Sequence, residues 1–287
     1  VSSIQMEALV VVGEDPGMGL MRRVIEKKKQ WQSRLRTFRA DAYTRSVMEN
    51  DSGIVMIAET LTEVLWDKKR GLRNVIKSKR YTKNVNPKEN LIFGSAEFVN
   101  LYDDDVPIQA SRFIGVTHPD ALDYYDFKII DRRTRDGRII EDIKVTSKSR
   151  LQPTFEGRLS VSDDDSSMVE AELKPIDEVV FPLPISEWKV YYRQQFSNFG
   201  QAYWMPVDVR LEGKIKIAMT GLKFPTIKYS QITGLNNYEP NSVLPDSAFE
   251  SKRFFIIDSN ALQKPNQFDS SRILIPLSDR EDSAFLQ

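Results

Sequence analysis

The sequence predicts a mainly β fold (α+β by content). It reads as a curved antiparallel sheet, or half-open β-barrel, of about 10–11 strands with one long amphipathic helix packed in the concave face. Three observations carry this. Apolar and polar residues alternate with period two across most of the chain, as in Tyr125, Phe127 and Ile129 against Asp126 and Lys128. Tight-turn signals separate the alternating runs, among them Asn50-Asp51-Ser52-Gly53 and Asp136-Gly137. One stretch only, opened by Asp15-Pro16, carries the helical period over several turns.

Taken in order, Ile4–Val12 reads as a strand and Gly13-Glu14 as a break. Asp15 supplies an N-cap acceptor and Pro16 the first helical position, so a helix is expected from Pro16 to Arg36. Leu20 or Met21, with Val24, Ile25, Trp31 and Leu35, fall near one face, with the basic residues on the other. Gly17 and Gly19 weaken its first turn by about 1 kcal/mol each relative to alanine, so packing must hold it. Thr37–Met48, Ile54–Trp66 and Leu72–Lys83 follow as an up-and-down meander with one packed face. Asn84–Asn90 reads as a polar loop, Leu91–Asp105 as short pieces ending in an acidic turn, and His118-Pro119-Asp120 as the cap of a short helix or turn ending near Tyr124.

Ala121–Leu173 then gives four alternating runs, expected to form the central floor of the sheet, with Tyr125, Phe127, Ile143, Phe155 and Leu159 facing the helix. Three prolines mark 175–184 as a loop or edge segment. Trp188–Phe196, Tyr203–Leu211 and Lys214–Thr220 read as three further strands with a bulge or edge at Met205-Pro206, and Lys223–Ile232 as another. Asn236 onward reads as an extended tail.

Composition excludes several chemistries. The 287 residues contain no cysteine, which removes disulfides, thiol catalysis and thiolate metal sites. His118 is the only histidine and lies beside Pro119 in a turn, and no G-x-S-x-G accompanies it, so neither a serine triad nor a histidine metal centre is expected. Asp103–Asp105 and Asp163–Asp165 cluster carboxylates but lack calcium-loop spacing, and the second reads as a hairpin tip. No apolar run is long enough for a membrane helix. The chain begins with Val1 and shows no leader pattern, which reads as a mature or trimmed protein. Lysine and arginine balance aspartate and glutamate at 41 each, yet residues 1–85 hold 17 basic and 10 acidic side chains. Without interleaved aromatics this excess reads as a solvated face, and no nucleic-acid partner is expected. Aromatics such as Trp31, Tyr43, Trp66, Trp188, Tyr192, Phe196, Tyr203 and Trp204 are candidates for core or for a ligand cavity.

Longer segments carry a family likeness. GEDPGMGLMRRVIEKKKQW with FRADAYTRS, then HPDALDYYDFKI, DGRIIEDIKV and PTFEGRLSV, then YWMPVDVRLEGKIKI and RILIPLSDREDSAF, resemble a Gram-negative outer-membrane family of unknown function. Its members join a carboxypeptidase-regulatory-like β-sandwich, a lipoprotein-carrier-like (LolA/LolB-like) periplasmic domain and an outer-membrane β-barrel. The resemblance implies that residues 1–14 end the sandwich or form a linker strand, that 15–235 are the carrier-like half-barrel, and that 236–287 lead toward the barrel. It implies a periplasmic location at the outer membrane, no catalytic residues and no cofactor or metal. The amphipathic helix set in a β meander also points to a hydrophobic ligand (acyl chain, lipid or lipoprotein), with Met21, Val24, Ile25, Trp31, Leu35, Tyr125, Phe127, Ile143, Phe155 and Leu159 as the cavity candidates. As an excised domain the chain is expected to be a monomer whose partner is the barrel of the same polypeptide. Two alternatives stand beside this: a protein–protein interaction or scaffolding module, and an unrecognised polysaccharide hydrolase using paired carboxylates.

Overall fold

The computed structural model describes residues 14–82, 99–108, 111–176, 185–200, 202–219, 222–223, 225–250, 255–258, 268 and 270–286. The strand expected at Ile4–Val12, the loop at Asn84–Asn90 and most of the proline segment 175–184 lie outside these residues.

Helix α1 spans Pro16–Arg34. The Asp15 carboxylate caps it by accepting from the Gly17 amide at 2.8 Å. Gly17, which lowers helix propensity, has a packing reason: a Cβ there would collide with the Phe127 carbonyl, so only glycine lets the helix start rest on strand backbone.

Three long strands follow as a meander: β1 (Thr37–Asn50), β2 (Gly53–Asp67) and β3 (Gly71–Tyr81). A small hairpin of β4 (Asp105–Ile108) and β5 (Ser111–Ile114) stands apart from the main sheet. After the single-turn helix α2 (Ala121–Tyr124) come β6 (Tyr125–Arg135), β7 (Arg138–Ser147), β8 (Phe155–Ser162) and β9 (Ser167–Pro175). Asp136 and Gly137 both take positive φ, joining β6 to β7 through a two-residue turn. Then come β10 (Ile185–Ser197), β11 (Met205–Met219), the two-residue β12 (Leu222–Lys223) and β13 (Ile227–Pro240). Helix α3 (Ser247–Glu250), β14 (Phe255–Ile257) and the last helix (Asp279–Leu286) complete the described elements.

The main sheet has twelve strands in the order β14-β3-β2-β1-β13-β11-β10-β9-β8-β7-β6, with β12 attached to β11. It is antiparallel except for β14, which runs parallel to β3. This is the curved open sheet with an internal helix that the alternation predicts.

Four details differ from the sequence expectation. Ala121–Leu173 forms β6–β9, which lie at one end of the strand order and not at its centre. The centre falls at β1, β13 and β11, because β13 returns to pair with β1 along nearly its whole length. Tyr203–Leu211 and Lys214–Thr220 are one strand, β11: Gly213 stays extended and in register opposite Val190. A register shift beside Pro206 does supply the bulge expected there. Helix α1 ends at Arg34, two residues short of the expected Arg36. Finally, β13 continues to Pro240, past the start of the expected tail, and the tail's α3, β14 and last helix pack against β2 and β3.

The two faces of the sheet have separate interiors. On the inner face one apolar cluster joins α1, the β4–β5 hairpin and side chains from β1, β2, β6–β11 and β13. On the outer face a smaller group, Leu65 with Leu244 and Ala248, seats α3.

Candidate functional site

The inner face is built from strand alternation. Phe38, Ala40 and Ala42 on β1 point to it, beside Val64 and Trp66 on β2 and Leu235 on β13. At the other end Tyr125, Phe127, Ile143, Phe155 and Leu159 are all at most 1% exposed. Helix α1 lies across this second region, with Met21, Val24, Trp31 and Leu35 buried and Ile25 half-buried against them. All ten residues expected to face one another therefore belong to one apolar cluster.

The cluster contains more than the sequence reading named. Leu101, Tyr102, Val106, Ile108, Phe113 and Val116 come from the segment leading into and through β4–β5. Trp31 meets the edge of Tyr102, ring centroids 5.5 Å apart, and Tyr102 meets Phe196 at 5.0 Å. Phe113 packs on Phe155 at 5.1 Å. Two tyrosine hydroxyls tie the polar backbone into this apolar region: Tyr102 accepts from the Met168 amide at 2.7 Å, and Tyr125 accepts from the Phe155 amide at 3.2 Å. The alternation Val106, Ile108 is the signal in the sequence that marks this hairpin as packed.

Lys28 corrects the reading of α1. Its charge predicts a place on the solvated basic face, but its side chain is 2% exposed. The spacing places it there: 21, 24, 28, 31 and 35 follow the three-four repeat of a single helical stripe. Its ammonium donates to the Asp104 carboxylate, to the Thr117 carbonyl at 3.0 Å and to the Thr117 hydroxyl at 3.0 Å. Burial lowers the Lys28 pKa, and Asp104 pulls it back toward its usual value. One ion pair thus clamps the middle of α1 to the segment that packs beside it. Next to it, burial pushes the Asp103 carboxyl up to about 7 against the opposing pull of Lys28.

An acid whose folded pKa lies above its unfolded value favours the folded state when protonated. Its contribution is present below 3.8 and is lost as pH rises to about 7. We expect Asp103→Asn to flatten the pH dependence of urea-unfolding midpoints across that window, and an unchanged slope would contradict the assignment.

The remaining candidates serve structure. His118 Nδ1 accepts from the Asp120 amide at 3.0 Å, as a turn residue does. In the β8–β9 turn Asp163 pairs with Arg23 at 2.7 Å, Asp164 accepts from the Ile139 amide, and Asp165 accepts from Ser167. No group of three or more histidines and carboxylates positioned for a metal occurs among the described residues. Tyr43, a cavity candidate by sequence, faces the outer side of the sheet, where its hydroxyl donates to Glu59. The side chain of Trp188 lies outside the described residues.

Residues 46–232 match the family described as "Family of unknown function (DUF5686)". The chain belongs to this family. No curated protein matches it. Among solved structures the family member is similar to a DUF1329 family protein from Desulfovibrio piger. Identity is 12% over 83% of this chain and 98% of that one, with a TM-score of 0.36. It is similar to a LolA superfamily protein, NE2245, from Nitrosomonas europaea, at 13% identity over 82% and 97% of the two chains and a TM-score of 0.32. It is also similar to a putative outer membrane lipoprotein-sorting protein domain from Vibrio parahaemolyticus, at 8% identity over 80% and 97% and a TM-score of 0.33.

Proposed function

We propose that the chain is a non-enzymatic binding domain on the periplasmic side of the outer membrane. It takes the apolar part of an acyl chain, lipid or lipoprotein between the inner face of the sheet and α1. One observation supports this above the others. The apolar inner face runs from β6 to β2, while the described elements set against it are one 19-residue helix, the β4–β5 hairpin, α2 and their connections. A helix held by one apolar stripe, the buried Lys28–Asp104 pair and the exposed Arg23–Asp163 pair is an element that a ligand of similar shape can displace.

Delipidated protein titrated with cis-parinaric acid is expected to give a saturable rise in fluorescence. Absence of uptake by protein with an intact far-ultraviolet spectrum would overturn the proposal. It would favour instead a scaffolding module, in which α1 is permanent core and the outer edge of β6, unpaired among the described residues, docks a periplasmic partner or the barrel of the same polypeptide. The exposed Ile130 on β6 and Ile139 on the neighbouring β7 speak for this second reading.

A further inference from the structure

The inner face changes character partway along its central strands. On β1 the inward residues run Phe38, Ala40, Ala42 and then Thr44, Ser46. On β2 they run Trp66, Val64 and then Thr62, Thr60, and on β13 Leu235 and then Thr233, Gln231. The register lays these side by side. Thr44 stands opposite Thr60 on one side and Thr233 on the other, and Ser46 stands opposite Gln231. All six polar side chains of this band are buried.

Part of the band is bonded both across β1 and β13 and along β13. The Thr44 and Thr233 hydroxyls lie 3.0 Å apart, Gln231 Nε2 donates to the Thr233 hydroxyl at 3.3 Å, and Tyr229 donates to Gln231 Oε1 at 2.6 Å.

One cation sits in the same row. Lys79 lies directly opposite Thr60 and so points to the inner side. It is half-buried and its ammonium stands 5.4 Å from the centre of the Tyr81 ring. Among the described residues no carboxylate pairs with it. The neighbouring cations of β3 differ. Lys77 is paired with Glu63 and Asp258, and Arg80 with Glu59 on the outer face. Withdrawal from water lowers the Lys79 pKa with no opposing charge.

A band of hydroxyls and amides inside a β interior costs desolvation that apolar residues would avoid, and a cation without a counter-charge costs more. Both costs are offset when an anion occupies the row. We propose that this band is a head-group subsite for an anionic amphiphile. Its carboxylate or phosphate meets Lys79 and the Thr60–Thr44–Thr233 row while its tail lies along the apolar half toward Phe38. Thr44 lies six residue steps from Phe38 on β1, about 20 Å at strand rise, a length suited to an extended acyl tail. This deepens the binding reading above and rests on it.

The test compares charged and neutral partners of equal tail. Palmitate is set against methyl palmitate and a monoacyl phosphatidate against the matching monoacylglycerol, each displacing cis-parinaric acid from the delipidated protein. At least one acid is expected to bind about tenfold more tightly than its neutral partner, the gain of one charge-assisted contact. Which pair discriminates names the head group. Lys79→Gln is expected to abolish the difference without weakening the neutral ligand, and Lys79→Arg to keep it. Equal binding of acids and neutral partners, or a preference that survives Lys79→Gln, would overturn the subsite and leave the binding reading standing. Failure of every ligand, neutral ones included, would overturn both.

Discussion

Replacing Glu59 by alanine is expected to lower the unfolding free energy by about 3–5 kcal/mol, the usual loss when one partner of a buried ion pair is removed. Glu59 is fully buried on the outer face of β2. One oxygen accepts from the Tyr43 hydroxyl and from Arg45 Nε at 3.3 Å, and the other from Arg80 Nε. Arg45 is itself 3% exposed, so truncating Glu59 would take one of its two carboxylate partners from a buried guanidinium that cannot lose its proton. The same arginine donates to the Ile275 carbonyl, to the Pro276 carbonyl at 3.2 Å and to Glu281 at 3.1 Å. This network is therefore also what fastens the last described segment to the outer face. Urea unfolding monitored by tryptophan fluorescence measures the loss. An unchanged midpoint would mean that water reaches the network and screens it.

Phe155→Ala is the second large effect, expected to cost about 3–5 kcal/mol. The ring is fully buried at the start of β8, in contact with Phe113 and beneath the region that α1 covers. Its removal leaves a void bordered by a strand that cannot easily collapse, since the Phe155 amide is held by the Tyr125 hydroxyl. Phe113→Ala in the same background should cost less than it does alone, because the two rings share one contact surface. A loss for Phe155→Ala below about 1 kcal/mol would show that the ring borders open space and not packed side chains.

Much of this architecture can be read locally. Period two in Phe38, Ala40 and Ala42, the Asp136-Gly137 turn and the Asp15-Pro16 start each depend on a few neighbouring residues, and the structure places all three as read. The ten residues expected around the helix also meet in one cluster, because alternation and helical spacing already say which side of an element is apolar. Lys28 shows where such reading stops. Its spacing put it on the buried stripe, but its charge argued for solvent. What resolved the conflict is Asp104 and Thr117, a long way off in sequence.

What the sequence by itself determined, then, is helix α1, most strands of the main sheet with their apolar sides, and the absence of cysteine and histidine-cluster chemistry. Only the tertiary structure decided that β13 returns to β1, that β6–β9 form an end of the sheet, and that Tyr43, Arg45 and Glu59 are buried on the opposite face. It alone aligned Thr44, Thr60, Thr233 and Lys79 in one row. The reason is physical. Periodicity is set by the backbone over a few residues, whereas strand neighbours and register are set by the whole sheet burying its inner face at once. A polar side chain in an alternating strand reads as solvent-facing until the partner that buries it is known.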